Sequence, residues 1–118
     1  MSGRQLAVCA RGELTREQVR AVQLPRGHDG RPREALVLLG SDGEPRAYLN
    51  RCRHLPIPID GGSKQYLTHD GAYLLCGTHG ALYRRDDGVC IAGPCLQLAL
   101  ERVPILEENG LLYLLVHG

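Results

Sequence analysis

Short apolar runs, each ended by glycine, proline or acidic residues, make up most of the 118-residue chain. They recur about every 8 to 12 residues, which is typical of an all-β domain. One hairpin is predicted around Asp42-Gly43, a turn sequence between two apolar runs. Strand segments are predicted at 5–10, 19–24, 34–40, 45–50, 72–76, 81–85, 89–93, in parts of 96–106, and at 111–116.

Two further segments have distinct patterns. The sequence LTREQ (14–18) predicts a single helical turn, with Thr15 as N-cap and Gln18 completing a capping box. The stretch from Asn50 to about Cys95 holds four of the five cysteines, three of the five histidines and three of the seven prolines. We predict that this stretch is a loop-built subdomain set into the β framework of a single domain, 1–118.

Composition excludes several classes of partner. The apolar content of 43% is enough for a core, in which leucine must dominate because the chain has no Phe and no Trp. A net charge of +1 gives no support for binding nucleic acid or an anionic membrane. The longest apolar run, LLYLLV (111–116), is far shorter than the roughly 20 residues that span a bilayer. We therefore expect no membrane association.

The N-terminal sequence lacks the apolar region of a secretory signal, so a cytoplasmic location is expected. Five cysteines, an odd number, fit poorly with a secreted disulfide framework. In a reducing compartment, clustered cysteine and histidine residues are better interpreted as metal ligands.

Two mixed pairs carry this chemistry: Cys52-x-His54 and Cys76-x-x-His79, with 21 residues between His54 and Cys76. Zinc accepts two cysteines and two histidines, but its usual motifs pair like with like. A two-iron cluster explains the mixture better, because each loop can give its cysteine to one iron and its histidine to the other. Zinc stays open as the alternative.

The motifs resemble those of the Rieske family, and within it the small soluble Rieske-type ferredoxins. They are N-x-C-x-H (50–54), P-I-D-G-G (58–62), C-x-x-H-G-A-x-Y (76–83) and D-G-x-C-x-x-G-P (87–94). The resemblance implies an antiparallel β sandwich or barrel base with an inserted cluster-binding subdomain at about 50–95. It also implies a Rieske-type [2Fe–2S] cluster, with Cys52 and Cys76 on one iron and His54 and His79 on the other.

Further residues receive roles from the same resemblance. We expect contacts with the cluster from Leu55, Gly77, Gly80, Tyr83 and the "proline loop" residues Gly93 and Pro94. Ala81 stands where high-potential relatives have a serine that donates to a sulfide, and the ligand loops lack those relatives' extra cysteines. The lower part of the Rieske range of potentials, about −150 to +300 mV, is therefore expected. The gap between the motifs is longer than is common in the ferredoxins, and we place the extra residues in 63–71.

Four protein ligands leave no open position for a substrate, so the expected function is electron transfer rather than catalysis. The resemblance implies a monomeric one-electron carrier between a flavin-containing reductase and a terminal oxygenase, such as a ring-hydroxylating dioxygenase. The alternatives are a permanent small subunit, like that of NADH-dependent nitrite reductase, and a zinc-stapled interaction module. Cys90 and Cys95 are interpreted as small buried apolar residues.

Overall fold

The computed structural model describes residues 3–26, 30, 32–51, 59, 65–76, 80–94 and 98–117. A short 3₁₀ helix spans Arg11–Glu13. The strands are β1 (Gly3–Ala10), β2 (Arg20–Leu24), β3 (Arg33–Leu39), β4 (Pro45–Leu49), β5 (Tyr73–Leu75), β6 (Leu82–Arg84), β7 (Cys90–Ala92), β8 (Ile105–Glu108) and β9 (Leu111–His117).

These strands form three antiparallel sheets of three strands each. Their orders are β1-β9-β8, β2-β3-β4 and β5-β6-β7, which we call the first, second and third sheets. No α-helix occurs in the described part of the chain, and no helix there is long and apolar enough to cross a membrane. The predicted all-β antiparallel fold is confirmed.

Strands β3 and β4 of the second sheet lie between two apolar cores, because both faces of these strands are buried. On β3, Ala35 and Val37 join a first core with the first sheet, whereas Leu36 and Leu38 join a second core with the third sheet. Side chains alternate between the two faces of a strand, so a strand buried on both faces is an unbroken apolar run. The first core comprises Leu14, Leu24, Ala35, Val37, Ala47, Leu49, Leu112, Leu114 and Val116. The second core comprises Leu36, Leu38, Tyr48, Ile59, Leu74, Cys76, Ala81, Tyr83, Cys90 and Leu100.

The local predictions have mixed outcomes. The hairpin at Asp42-Gly43 is present, and Gly43 takes a positive φ of 80° while the N–H of Gly40 bonds to the carbonyl of Glu44. The single turn predicted at 14–18 is present as a hydrogen-bonded turn, closed by the Gln18 N–H on the Thr15 carbonyl, but it is not helical. The 3₁₀ helix lies earlier in the chain.

The described part of the region 50–95 contains strands at the three places where the sequence predicts them, 72–76, 81–85 and 89–93. These strands form the whole third sheet, from Tyr73 to Ala92. The hydrogen bonds of that sheet satisfy backbone groups that would be costly to bury in a bare loop. The boundaries of a subdomain at about 50–95 within one domain stay a prediction.

The turn between β6 and β7 is fastened to the rest of the molecule by Arg85, which is only 4% exposed. Its guanidinium donates to the carbonyls of Leu39 at 3.0 Å, Gly71 at 2.8 Å and Arg16 at 2.7 Å. Leu39 is the last residue of β3, and it lies beyond the part of that strand that pairs with β2. Arg85 therefore donates hydrogen bonds to three segments that are distant from one another in the chain. Burial lowers the pKa of its guanidinium.

The neighbouring residue Asp86 holds the same turn against the β3–β4 hairpin. Its carboxylate accepts the hydroxyl and the backbone N–H of Ser41, both at 2.6 Å. These two bonds, the hydroxyl's first, lower the pKa of Asp86. The carbonyl of Asp86 accepts from the Arg46 side chain at 2.9 Å, so both the carboxylate and the backbone of this residue hold the turn in place.

Replacement of Arg85 by alanine is expected to lower the free energy of unfolding by about 3 kcal/mol or more. Three carbonyls lose their donor together, and each such loss costs at least about 1 kcal/mol. Urea unfolding measures the change. Arg84→Ala is the matched control, because Arg84 is exposed and its ion pair with Asp87 is worth at most about 1 kcal/mol. Equal unfolding midpoints for the two variants would contradict the role assigned to Arg85.

Candidate metal centre

The hairpin of β5 and β6 carries the second cysteine–histidine motif. Cys76 directly follows β5, and its N–H donates to the carbonyl of Ala81, just before β6, at 2.8 Å. The N–H of Gly80 returns to the carbonyl of Cys76, also at 2.8 Å. Gly80 has a φ of 73°, a left-handed conformation that favours glycine. These two backbone hydrogen bonds bring Cys76, which follows β5, close to Ala81, which precedes β6.

Three of the sequence motifs meet in the second core. Ile59 comes from the P-I-D-G-G motif, Cys76 and Tyr83 from the motif at 76–83, and Cys90 from the motif at 87–94. All four are buried, with exposures of 1% or less. The Cys76 side chain is therefore out of contact with bulk water, and charge interactions are screened less there than at the surface.

Gly93 packs directly on the motif at 76–83. A Cβ atom on this residue would lie 2.7 Å from the Cα of Ala81, closer than real side chains approach, and its φ is 99°. Only glycine allows the motif at 87–94 to come this near the residue that stands two positions after His79. Pro94, the next residue, is exposed.

The two other described cysteines are Cys90, which is buried, and Cys9, which is half-buried. Cys90 is 1% exposed, and its thiol donates to the carbonyl of Ala92 at 3.1 Å, which agrees with its interpretation as a buried residue. Cys9 is half-buried on β1, and burial raises the pKa of its thiol. Cys95 lies outside the described residues.

The predicted site residues divide into two groups. The described ones are Cys76, Gly80, Tyr83, Gly93 and Pro94; the structure brings Cys76 and Tyr83 into one core with Ala81, on which Gly93 packs, and leaves Gly80 and Pro94 exposed. The others, which are Cys52, His54, Leu55, Gly77 and His79, lie outside the described residues. Within the described ranges, no group of three or more His, Cys, Asp or Glu side chains could hold a metal ion.

Two residues with structural roles were not singled out from the sequence. The charge run RRDDG (84–88) predicts a turn, and nothing in those letters separates Arg85 from the exposed Arg84. Asn50 was quoted only as the first letter of a motif. Its side-chain Oδ1 accepts the N–H of Ile59 at 2.8 Å, which joins the start of the first ligand segment to the P-I-D-G-G motif. The signal in the sequence was the position of Asn50, a side-chain amide at the end of a predicted strand and two residues before the predicted ligand Cys52.

A groove of about 650 Å³ lies beside the second core, since its lining residues Val19, Tyr66 and Leu67 pack against that core. Residues 17–20 and 65–71 line it, and the second of these segments belongs to the longer stretch between the motifs. Of the predicted site residues that the structure describes, none lines this groove. A role of residues 63–71 in a partner surface stays a prediction.

Comparison with known proteins assigns the family. The family model described as "Rieske [2Fe-2S] domain" matches residues 4–105. The chain therefore belongs to the Rieske [2Fe–2S] family, and its cofactor is a Rieske-type [2Fe–2S] cluster. A comparison of the sequence with curated proteins found no match.

Solved structures share the fold. Ferredoxin from Sphingomonas yanoikuyae B1 is similar over 98% of this chain and 100% of its own, with a TM-score of 0.69 and 22% identity. The terminal oxygenases of carbazole 1,9a-dioxygenase from Nocardioides aromaticivorans IC177 and Novosphingobium sp. KA1 both have TM-scores of 0.71. Their identities are 21% and 25%, and the similarity covers 97% and 99% of this chain. The chain spans only 30% and 31% of the length of those oxygenases.

The described residues fit an iron–sulfur cluster of this kind. Cys76 has a buried thiol at a strand end, which is a group that such a cluster could use as a ligand, and Gly93 keeps the motif at 87–94 close to the hairpin that carries it. Thiolate ligands and buried surroundings are what such clusters use.

Replacement of Gly93 by alanine is expected to destabilise the protein by roughly 2 to 4 kcal/mol. The new methyl group meets the Ala81 backbone, and the residue must also keep a positive φ. Urea unfolding gives the size of the effect. Gly43→Ala is the matched control, since Gly43 has a φ of 80° and open space around its Cβ position. If Gly93→Ala and Gly43→Ala lower the free energy of unfolding by the same amount, the close packing of Gly93 on Ala81 does not contribute to stability.

Proposed function

We propose that this protein is a one-electron carrier. Support comes from both cysteine–histidine pairs, from the family match over residues 4–105, and from a fold similarity that covers the whole of a ferredoxin chain. The last of these carries the proposal. The similarity covers 100% of the ferredoxin chain, but only 30% and 31% of the two oxygenases that share the fold.

The proposed ligands are Cys52 and Cys76 on one iron and His54 and His79 on the other. When bound, the cluster supplies reversible one-electron reduction and oxidation. The two thiolates bring negative charge, and the two neutral imidazoles bring none, which raises the potential relative to four thiolates. The second ring nitrogen of each histidine holds a proton that it can release, so pH affects the potential.

The surroundings of Cys76 support a potential in the lower part of the Rieske range. Ala81 is fully buried and has no hydroxyl to donate, and the neighbouring Gly93 has no side chain. Fewer donors to sulfur stabilise the reduced form less. Tyr83, also fully buried in this core, is the side chain we assign as the remaining donor.

The proposed partners are a flavin-containing reductase and a terminal oxygenase. Two of the similar solved structures are themselves oxygenases of carbazole 1,9a-dioxygenase, and another similar structure is a "reduced complex between oxygenase and ferredoxin" of that system. Four protein ligands leave no open iron position, so the chain is proposed to be a carrier and not an enzyme. Its monomeric state and cytoplasmic location stay predictions.

A permanent subunit of a larger oxidoreductase is the second candidate. The observation that favours it is an exposed apolar stripe on β9, where Leu111 and Leu115 are 45% and 38% exposed. A face of this kind is typical of a surface covered by another protein. Gel filtration with light scattering separates the two: a monomer supports the carrier, and self-association of the isolated chain supports the subunit.

The purified wild-type protein is expected to be red-brown and to hold two irons and two acid-labile sulfides. Anaerobic purification followed by iron, sulfide and zinc assays measures this directly. Low-temperature EPR after dithionite reduction should show the signal of a cluster with mixed histidine and cysteine ligation. A colourless protein with one zinc and no sulfide would replace the carrier with a zinc-stapled module.

Replacement of His79 by cysteine is expected to lower the reduction potential or to abolish cluster binding. A thiolate would bring a negative charge to a position that the neutral imidazole leaves uncharged, and all-cysteine clusters of the plant type lie near about −400 mV. Voltammetry and EPR measure the change. Cys90→Ala is the control, because Cys90 is buried and its thiol donates to a backbone carbonyl. An unchanged potential and spectrum for His79→Cys would overturn the assignment of this ligand.

A further inference from the structure

The side chain of Asn50 joins two parts of the fold at the entrance to the first ligand segment. Asn50 follows β4 directly and is 8% exposed. Its Oδ1 accepts the backbone N–H of Ile59 at 2.8 Å, and its Nδ2 donates to Oε1 of Glu34 at 2.8 Å. The backbone N–H of Asn50 also donates to the carbonyl of Glu34, at 2.7 Å.

The bond from Asn50 to Ile59 spans the segment that contains the first pair of proposed ligands. Residues 51–58 lie between the two bonded residues, and they include Cys52 and His54. Ile59 is fully buried in the second core, which also contains Cys76. The Asn50 amide therefore ties the start of this segment to its end, and that end is packed in the same core as a ligand of the second pair.

Glu34 determines which way the amide of Asn50 faces. An amide has one side that accepts and one that donates, and its carbonyl must face Ile59 to receive the N–H. The carboxylate of Glu34 can only accept, so it selects the opposite, donating side. Glu34 belongs to β3, the strand that separates the two cores, and the bond therefore connects the segment 51–58 to the framework of the second sheet.

We propose that Asn50 is a positioning residue for Cys52 and His54, and that Glu34 orients it. This inference rests on the ligands assigned under the proposed function. Neither residue touches iron or substrate in this role. They act through the ends of the segment that carries one ligand for each iron.

The test uses the full-length holoprotein and four variants: Asn50→Ala, Asn50→Asp, Glu34→Gln and the double variant Asn50→Asp/Glu34→Gln. The aspartate keeps an acceptor for Ile59 but places a carboxylate against that of Glu34. In the double variant, the introduced glutamine amide donates to the introduced aspartate, so donor and acceptor are exchanged while the pair keeps one negative charge. The control is Glu101→Gln, which removes an exposed carboxylate next in the chain to Arg102, a bridge partner of β4.

Three readouts are compared with the wild type: the rate of iron release to a chelator, the EPR g values and the reduction potential at fixed pH. We expect Asn50→Ala and Asn50→Asp to release iron roughly 10- to 100-fold faster, the usual effect of losing groups that orient metal ligands. Both should also shift the g values and the potential. The double variant should recover most of what Asn50→Asp loses, and Glu101→Gln should match the wild type.

The possible failures are distinguishable. A wild-type protein without the cluster overturns the proposed function and this inference with it. A wild type with the cluster, together with an Asn50→Ala variant of unchanged spectrum, potential and iron release, overturns the inference alone. If Asn50→Ala does not fold, the comparison of Asn50→Asp with the double variant decides: without recovery in the double variant, the proposed orientation by Glu34 is wrong.

Discussion

Strand β3 has both faces buried, and the other layers of the molecule pack against one face or the other. Ala35 and Val37 face the first core, and Leu36 and Leu38 face the second. This central position lets a chain without Phe or Trp build two cores from small and aliphatic side chains. Because close packing transmits small shifts, the location of the second core, and of Cys76 within it, depends on β3.

Hydrogen bonds between buried polar side chains and backbone groups hold the segments around the second core in position. Arg85 joins the β6–β7 turn to three other segments, and Asn50 joins the end of β4 to Ile59. An apolar core favours burial but not one unique position, since hydrophobic contact is not directional. Hydrogen bonds have defined geometry, and they supply that position. A site that exchanges single electrons benefits from such rigidity, because little has to rearrange when its charge changes.

The same fold occurs in a ferredoxin and in much longer oxygenases, so the fold alone does not determine the role of a chain. Two features of this chain bear on its role, one in the surroundings of the proposed cluster and one on the surface. Ala81 and Gly93 make the region next to the motif at 76–83 small and apolar. The stripe of Leu111 and Leu115 lies on β9 of the first sheet, whose opposite face packs in the first core and not in the core that holds Cys76.

The sequence by itself determined the strands, the hairpin at Asp42-Gly43 and the two cysteine–histidine pairs, because these depend on residues close together in the chain. Alternation of apolar residues and turn signals act over a few positions, and ligand spacing is written directly in the letters. The turn at 14–18 was predicted for the same local reason, and the Gln18 N–H closes it on the Thr15 carbonyl. Its residues are nevertheless not helical, because a capping pattern shows where a helix can begin but not whether it forms.

Only the tertiary structure decided which of two adjacent arginines holds the fold together. Arg84 and Arg85 are neighbours in one charge run, yet Arg84 is exposed and Arg85 is buried, because carbonyls from distant segments converge on the second. The partners of Asn50 are 9 and 16 residues away in sequence, and Gly93 approaches Ala81 where β7 and β6 pair. Such contacts exist only once the strands have paired and the sheets have packed, so no local pattern can specify them.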